Sequence, residues 1–301
     1  MTTYKNILVP VDFSEPSKKA VTYGLTLADQ LRARLVIAHI VPESTALAYA
    51  FPPQTNEIEK DQEDKARAEI QRLLPLQYRE KYAMQMIVRT GTIETELLRI
   101  VNDERADLVV MGTHGRGNPG RWLLGSVTER LLRKLPVPVL TVSHIGEEAH
   151  TIELVSLERI VYATDLCESS DAGLEAALAL AYGAGAQLTV MHCVYYRDRM
   201  WWAPSAIPDF DNLRTKFLAE MRQKVDAVIS RAGMPEIPIE FLVVEGKPYE
   251  KILQTASDHA AGIIVMNLES KSTLERALIG STAERVVRLS SIPVLSVPPA
   301  I

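Results

Sequence analysis

Asn6-Ile7-Leu8-Val9-Pro10-Val11-Asp12 comes back, with most letters changed and the pattern kept, as Arg159-Ile160-Val161-Tyr162-Ala163-Thr164-Asp165. Each is a short β-branched and aliphatic run that ends on an aspartate, the pattern of a strand buried on both faces of a parallel sheet. Three further pairs follow in the same order. Leu35-Val36-Ile37-Ala38-His39-Ile40 matches Leu188-Thr189-Val190-Met191-His192-Cys193, and Ala106-Asp107-Leu108-Val109-Val110-Met111 matches Ala261-Gly262-Ile263-Ile264-Val265-Met266. Val137-Pro138-Val139-Leu140-Thr141-Val142 matches Ile292-Pro293-Val294-Leu295-Ser296-Val297. The offset is 153 between Asp12 and Asp165 and 155 between Pro138 and Pro293, so the repeat is a whole duplicated domain and not a solenoid unit.

Between the strands lie segments of helical period. In the first copy, strands are predicted near 5–11, 34–41, 84–90, 106–111 and 137–142, and helices near 15–32, 56–80, 93–104 and 125–135. Ser14 and Ser126 are read as helix caps. The second copy repeats the strands near 158–164, 187–194, 238–244, 261–266 and 293–297. Strands that alternate with helices give parallel neighbours and right-handed crossovers. The predicted fold class is α/β: two tandem Rossmann-like domains, 1–146 and 155–301, each a five-stranded parallel sheet flanked by helices. The polar, acidic stretch 144–157 reads as the linker. The last strand of each copy is expected at a sheet edge, where Pro138 and Pro293 are tolerated.

Composition narrows the function classes. Of 301 residues, 47% are hydrophobic and 24% charged, a globular profile. No apolar run reaches the ~18 residues of a membrane span, and the first ten residues lack a signal-peptide pattern. Two cysteines cannot build a disulfide framework, which points to a reducing, cytoplasmic setting. Net charge is −5, which argues against nucleic acid as a partner. The halves differ: residues 1–146 hold 19 Lys+Arg against 17 Asp+Glu (+2), and residues 147–301 hold 14 against 21 (−7). The first half is the better host for an anion.

The segment richest in chemistry runs from Met111 through Gly112-Thr113-His114-Gly115-Arg116-Gly117-Asn118-Pro119-Gly120-Arg121 to Gly125-Ser126-Val127-Thr128. Glycines let backbone N–H groups approach a polyphosphate, because no Cβ intervenes. The helix that follows adds unpaired N–H groups and a positive dipole end. Ser126 and Thr128 offer hydroxyls, and Arg116 and Arg121 offer charge. In an open parallel sheet the ligand crevice lies at the strand carboxyl ends, where strand order reverses, which here means the loops after Val11-Asp12 and after Met111. Asp12 has two readings, a ligand or Mg²⁺ contact and a turn-fixing acceptor.

Gly112-x2-Gly115-x9-Gly125-Ser126 resembles the ATP-binding signature of the universal stress protein family. Val9-Pro10-Val11-Asp12-Phe13-Ser14 and Ala38-His39-Ile40-Val41 resemble its first strand with turn and its second-strand ending. The resemblance covers nearly the whole chain twice. It implies that Pro10, Val11 and Asp12 line an adenosine site and that the Ile40 backbone faces adenine. It places Met111 and Gly112 near the ribose, and Gly115, Gly125, Ser126, Val127 and Thr128 on the phosphates of ATP, with Mg²⁺ as companion. His114 and Arg116 lie inside the signature; His114 reads equally as a ligand contact and as a loop histidine bonded to backbone. His39 reads as structural. The corresponding second site, Asp165, Cys193, Asn267, Ser270, Gly280 and Ser281, is degenerate. Asn267 and Ser270 replace glycines, their side chains threaten close backbone approach, and Glu269 adds negative charge, so ATP binding there is expected to be weak or absent. The resemblance also implies pairing of the two domains as an intramolecular pseudo-dimer, with a homodimer of chains as a further option.

Three other features carry readings of their own. The aromatic run Tyr195 to Trp202 reads as a loop packed onto the neighbouring domain, or else as a site for another, apolar ligand. Cys167, Cys193 and His192 carry a minor reading as a redox or metal group. The charged run 57–72 reads as a solvated helix face. No Walker lysine, nucleophile elbow or H-x-G-H pattern is present. The expected function is nucleotide-dependent regulation of a stress response. The alternatives are a scaffold whose second domain binds a non-nucleotide, and a slow ATPase or nucleotidyl transferase.

Overall fold

The structure is a computed structural model that describes residues 4–43, 52–82, 84–113, 124–143, 154–167, 171–195, 210–268 and 280–299, with main chain only at 52–59 and 80. It divides into two compact units, 4–155 and 156–301.

In the first unit the elements are β1 (Asn6–Pro10), α1 (Glu15–Leu31), β2 (Arg34–Pro42), α2 (Pro52–Leu73), α3 (Leu76–Lys81), β3 (Met84–Gly91), α4 (Ile93–Asp103), β4 (Leu108–Gly112), α5 (Ser126–Lys134) and β5 (Val139–Val142). All pairings are parallel, in the order β3-β2-β1-β4-β5. Ile7, Leu8 and Val9 of β1 and Leu35, Val36 and Ile37 of β2 are fully buried. That is why these runs read as unbroken aliphatic stretches: helices cover both faces of the sheet. The chain winds outward from β1 to β3 and then returns to β4, so the strand order reverses between β1 and β4. This reversal opens a crevice at their carboxyl ends.

The second unit repeats the plan with β6 (Arg159–Thr164), α6 (Asp171–Ala184), β7 (Gln187–Val194), α7 (Phe210–Ala232), β8 (Ile239–Glu245), α8 (Pro248–Asp258), β9 (Ile263–Asn267), α9 (Ser281–Leu289) and β10 (Val294–Val297). Its strands run parallel in the order β8-β7-β6-β9-β10. The likeness extends to single backbone angles. Phe13 (φ 64°) and Leu166 (φ 63°) both sit in the left-handed region one residue after the strand-end aspartate. That region is unfavourable for large side chains, and here it is held by the aspartate itself.

The predicted helix 56–80 is two helices. Leu74 leaves the helix and Pro75, which has no N–H to donate, stands at the start of α3. On α2, Ala66 and Ile70 are buried while most of the charged residues from 60 to 72 face solvent, as a half-solvated helix requires. The end of the expected linker is structured. The Val155 N–H donates to Thr26 Oγ1 (3.0 Å) within the first unit. Leu157 is 2% exposed in the second unit, where it stands over Gly262.

Candidate functional site

Four elements of the first unit converge on the crevice: the carboxyl ends of β1, β2 and β4 and the amino end of α5. The β1–β2 corner is tied twice. The Val11 N–H donates to the Ala38 carbonyl (2.8 Å), and His39 Nδ1 lies 2.7 Å from the Val11 carbonyl. A carbonyl only accepts, so Nδ1 carries the proton. The His39 ring also packs on Phe13, with centroids 4.7 Å apart. His39 is therefore a strap between strands, the structural role expected of it.

Asp12 closes the turn. Its Oδ1 accepts the Ser14 N–H (3.0 Å) and the Ser14 hydroxyl, an Asx turn that holds Phe13 in its left-handed conformation. The turn-fixing role of Asp12 is thus present in the geometry. Ser14 occupies the N-cap position of α1, yet its side chain makes no cap bond because its hydroxyl is directed to Asp12.

At the other wall, Met111 is buried and Gly112 ends β4. Packing alone gives Gly112 a reason to be glycine. A Cβ there would lie 2.7 Å from Pro16 Cβ and 2.9 Å from the Pro16 carbonyl carbon. Its bareness lets the first turn of α1 lie on β4. The N-cap of α5 is Gly125 and not Ser126, which is the first helical residue and is exposed. Gly125 donates to the Thr113 carbonyl (2.8 Å), which docks the helix start on the end of β4. Intrahelical bonding begins with Glu129 donating to Gly125 (2.9 Å), so the N–H groups of Ser126, Val127 and Thr128 have no partner inside the helix. The Thr128 side chain is engaged within the scaffold. Its hydroxyl is buried and donates to the Gly112 carbonyl (3.0 Å), so that proton is spent on the scaffold and not offered to a phosphate. Pro10, Val11, Asp12, Ile40, Met111, Gly112, Gly125, Ser126 and Val127 are thus gathered at strand ends and helix start. His114, Gly115 and Arg116 lie outside the described residues.

In the second unit the same frame encloses a cavity of about 250 Å³. His192 Nδ1 lies 2.9 Å from the Thr164 carbonyl, and its ring packs on Phe217 at 4.6 Å. Asp165 Oδ1 accepts the Cys167 N–H (3.1 Å), the same Asx turn as at Asp12. Asp165, Cys193, Asn267, Gly280 and Ser281 all line the cavity, and Ser270 lies outside the described residues. Asn267 does not close it. Its Nδ2 donates to the buried Tyr162 hydroxyl (3.1 Å), and its amide lies against Gly173 of α6, where any side chain would collide with it. The substitution is matched across positions: Asn267 for Gly112, Gly173 for Ala20, Tyr162 for Val9 and Ala283 for Thr128. Sequence reading missed Thr164, Met191, Pro248 and Ile252 as cavity residues; comparison of each strand end with its twin would have found the first two.

Burial pushes the Cys193 thiol up to about 11, which keeps it neutral. Among the described residues no three His, Cys, Asp or Glu side chains gather as a metal site, and no helix is long and apolar enough to cross a membrane. Of the aromatic run after β7 only Tyr195 is described, and it is exposed.

Two doubly wound parallel sheets, each with a crevice at its strand reversal, define a tandem Rossmann-like protein. A sequence model described as "Universal stress protein family" matches residues 3–143 and again 156–298, and the chain belongs to that family. Universal stress protein Rv2005c of Mycobacterium tuberculosis is 25% identical over 304 residues, which span 96% of this chain and 95% of that protein. Universal stress protein MJ0577 of Methanocaldococcus jannaschii is 26% identical over 153 residues, 46% of this chain and 94% of its own length. Among solved structures, a universal stress protein from Archaeoglobus fulgidus superposes with a TM-score of 0.71 at 20% identity, covering 99% of both chains.

Proposed function

We propose that the first unit binds ATP and that the chain acts as a nucleotide-dependent regulator of a stress response. One observation carries this reading. The amino end of α5, with three N–H groups free of intrahelical partners and no side-chain cap, meets the carboxyl ends of β1, β2 and β4 in one crevice. The dipole end and N–H groups of such a helix favour a phosphate, and the strand ends form a bed for a flat base. The glycine and arginine content of 112–125, with Arg116 and Arg121 and no acid, supplies the loop and charge that a polyphosphate needs. Asp12 is the carboxylate suited to help hold Mg²⁺ brought by the nucleotide. Binding shifts which surface the protein presents around the crevice, so the chain works as a switch with slow turnover at most. We further read it as a cytoplasmic protein whose two units pair within the chain, with dimerisation of whole chains as a further step.

Calorimetric titration of ATP with Mg²⁺ into the intact chain and into Gly115→Asp tests the proposal. One ATP per chain, lost in the variant, is the expected result. A folded wild type that takes up no ATP overturns it.

A further inference from the structure

Three sulfur side chains, Met191, Cys193 and Met266, line the second-unit cavity. The sheet register brings them together. Ala163 of β6 pairs with Met191 of β7 on one side and with Met266 of β9 on the other. Residues in register on parallel strands point to one face, so both thioethers stand on the same side of the sheet, astride an alanine too short to separate them. Cys193 follows Met191 by two residues and shares that face. His192 between them is turned the other way, with Nδ1 on the Thr164 carbonyl and its ring on Phe217. Cys193 Sγ lies 3.9 Å from the Pro248 carbonyl at the cavity wall, a contact too long to hold it firmly. Met191 and Met266 are buried. In the first copy the matching positions are Ala38, Ile40 and Met111, which offer one sulfur.

We infer that Met191, Cys193 and Met266 form a site for one soft monovalent metal ion, Cu(I), in the second unit. Thiolate and thioether donors select that ion over harder ones. As it binds, a Cu–S bond forms at Cys193 Sγ, the S–H bond breaks and the proton leaves to solvent; no electron is transferred. Burial keeps the Cys193 thiol protonated in the free protein, the nearby Lys251 ammonium opposes this in part, and a coordinated metal removes the proton outright. Cu⁺ with one thiolate and two thioethers carries no net charge, which suits an apolar cavity where an uncompensated ion would be costly. Zn²⁺ on the same donors would keep a positive charge and lack its fourth ligand. A cavity of about 250 Å³ leaves the unbranched methionine side chains room to turn their sulfurs onto the ion. Whether the first unit binds ATP does not bear on this site.

The test uses the full chain with Cys167→Ser, which leaves Cys193 as its one thiol. Cu(I) is titrated without oxygen in competition with the coloured chelator bicinchoninate, whose absorbance reads the affinity. One Cu(I) per chain is expected. Met191→Leu and Met266→Leu nearly conserve volume. Each should weaken binding by more than about tenfold, the smallest loss usual even for an outer-shell partner. Cys193→Ser should abolish it. Urea unfolding of the metal-free variants separates loss of a ligand from loss of fold. X-ray absorption at the copper edge of the loaded parent needs no further variant and should show sulfur neighbours alone. No Cu(I) uptake against the chelator, uptake that both Met→Leu changes leave unaltered, or nitrogen or oxygen among the atoms bound to copper overturns the inference. Zn(II) held at Cys193 as tightly as Cu(I) also overturns it and would give the site to a harder donor such as Asp165.

Discussion

Gly112→Ala separates two reasons for a glycine. The added methyl would lie 2.7 Å from Pro16 Cβ and 2.9 Å from the Pro16 carbonyl carbon. Comfortable carbon–carbon contact needs about 3.5–4.0 Å, so the overlap is roughly 0.8 Å against a proline ring and roughly 0.6 Å against main chain. Neither partner is the flexible end of a side chain, so α1 and β4 must separate. Overpacking of this kind costs about 1–3 kcal/mol. For a unit of this size each kcal/mol shifts the melting midpoint by about 3 °C, which gives a loss of about 3–9 °C. The assay is thermal and urea unfolding without nucleotide, followed by circular dichroism, beside ATP titration of the same variant. The packing account requires the apo midpoint to fall. An apo midpoint within about 1 °C of wild type, with ATP binding abolished, would refute it and return Gly112 to a ligand role.

Thr128→Val removes a buried hydroxyl that donates to the Gly112 carbonyl and should cost about 0.5–1.5 kcal/mol in urea unfolding. ATP affinity should change by less than about threefold, because that proton is already committed; a tenfold affinity loss at unchanged stability would contradict the bond. Glu94, which accepts from Lys134 at 2.8 Å and from Arg130 at 2.5 Å, is held below the usual glutamate range first by the Lys134 hydrogen bond and then, against some burial, by Arg130. A carboxyl depressed in the folded state adds stability that is fully present above its unfolded value and is lost as pH falls through the folded one. Both cations are more than half exposed, so Glu94→Gln should cost only about 0.5–1 kcal/mol at pH 7. Paired urea curves should converge in acid below the depressed value, and a gap that persists there would rule out the ion pair as its source.

Strand positions were legible because burial on both faces leaves no alternative to aliphatic runs such as Ile7-Leu8-Val9. The duplication supplied topology as well, since two copies of one pattern must share one winding. The break at Leu74 was legible too, in Pro75, and was masked by the charged helical pattern around it. Other features depend on tertiary approach and leave no local mark. Gly112 looks like a ligand glycine in any linear reading, and only the position of Pro16 adds a packing reason for it. Asn267 looks like a plug until Gly173 and Tyr162, 94 and 105 residues earlier, are brought beneath it. Phe13 and Leu166 carry no glycine or asparagine to announce a left-handed turn; the aspartate before each one dictates it through a side-chain bond.

The imidazole straps at His39 and His192 use a single ring proton, the one on Nδ1, to hold the carboxyl end of the first strand of each copy. Each copy thus has the same fastener beneath its crevice, made by a side chain that lines the strand end and a carbonyl of the neighbouring strand. With the same fastener in both copies, side-chain volume around one strand end can be redistributed, as among Asn267, Tyr162 and Gly173, while the corner beneath it keeps its form.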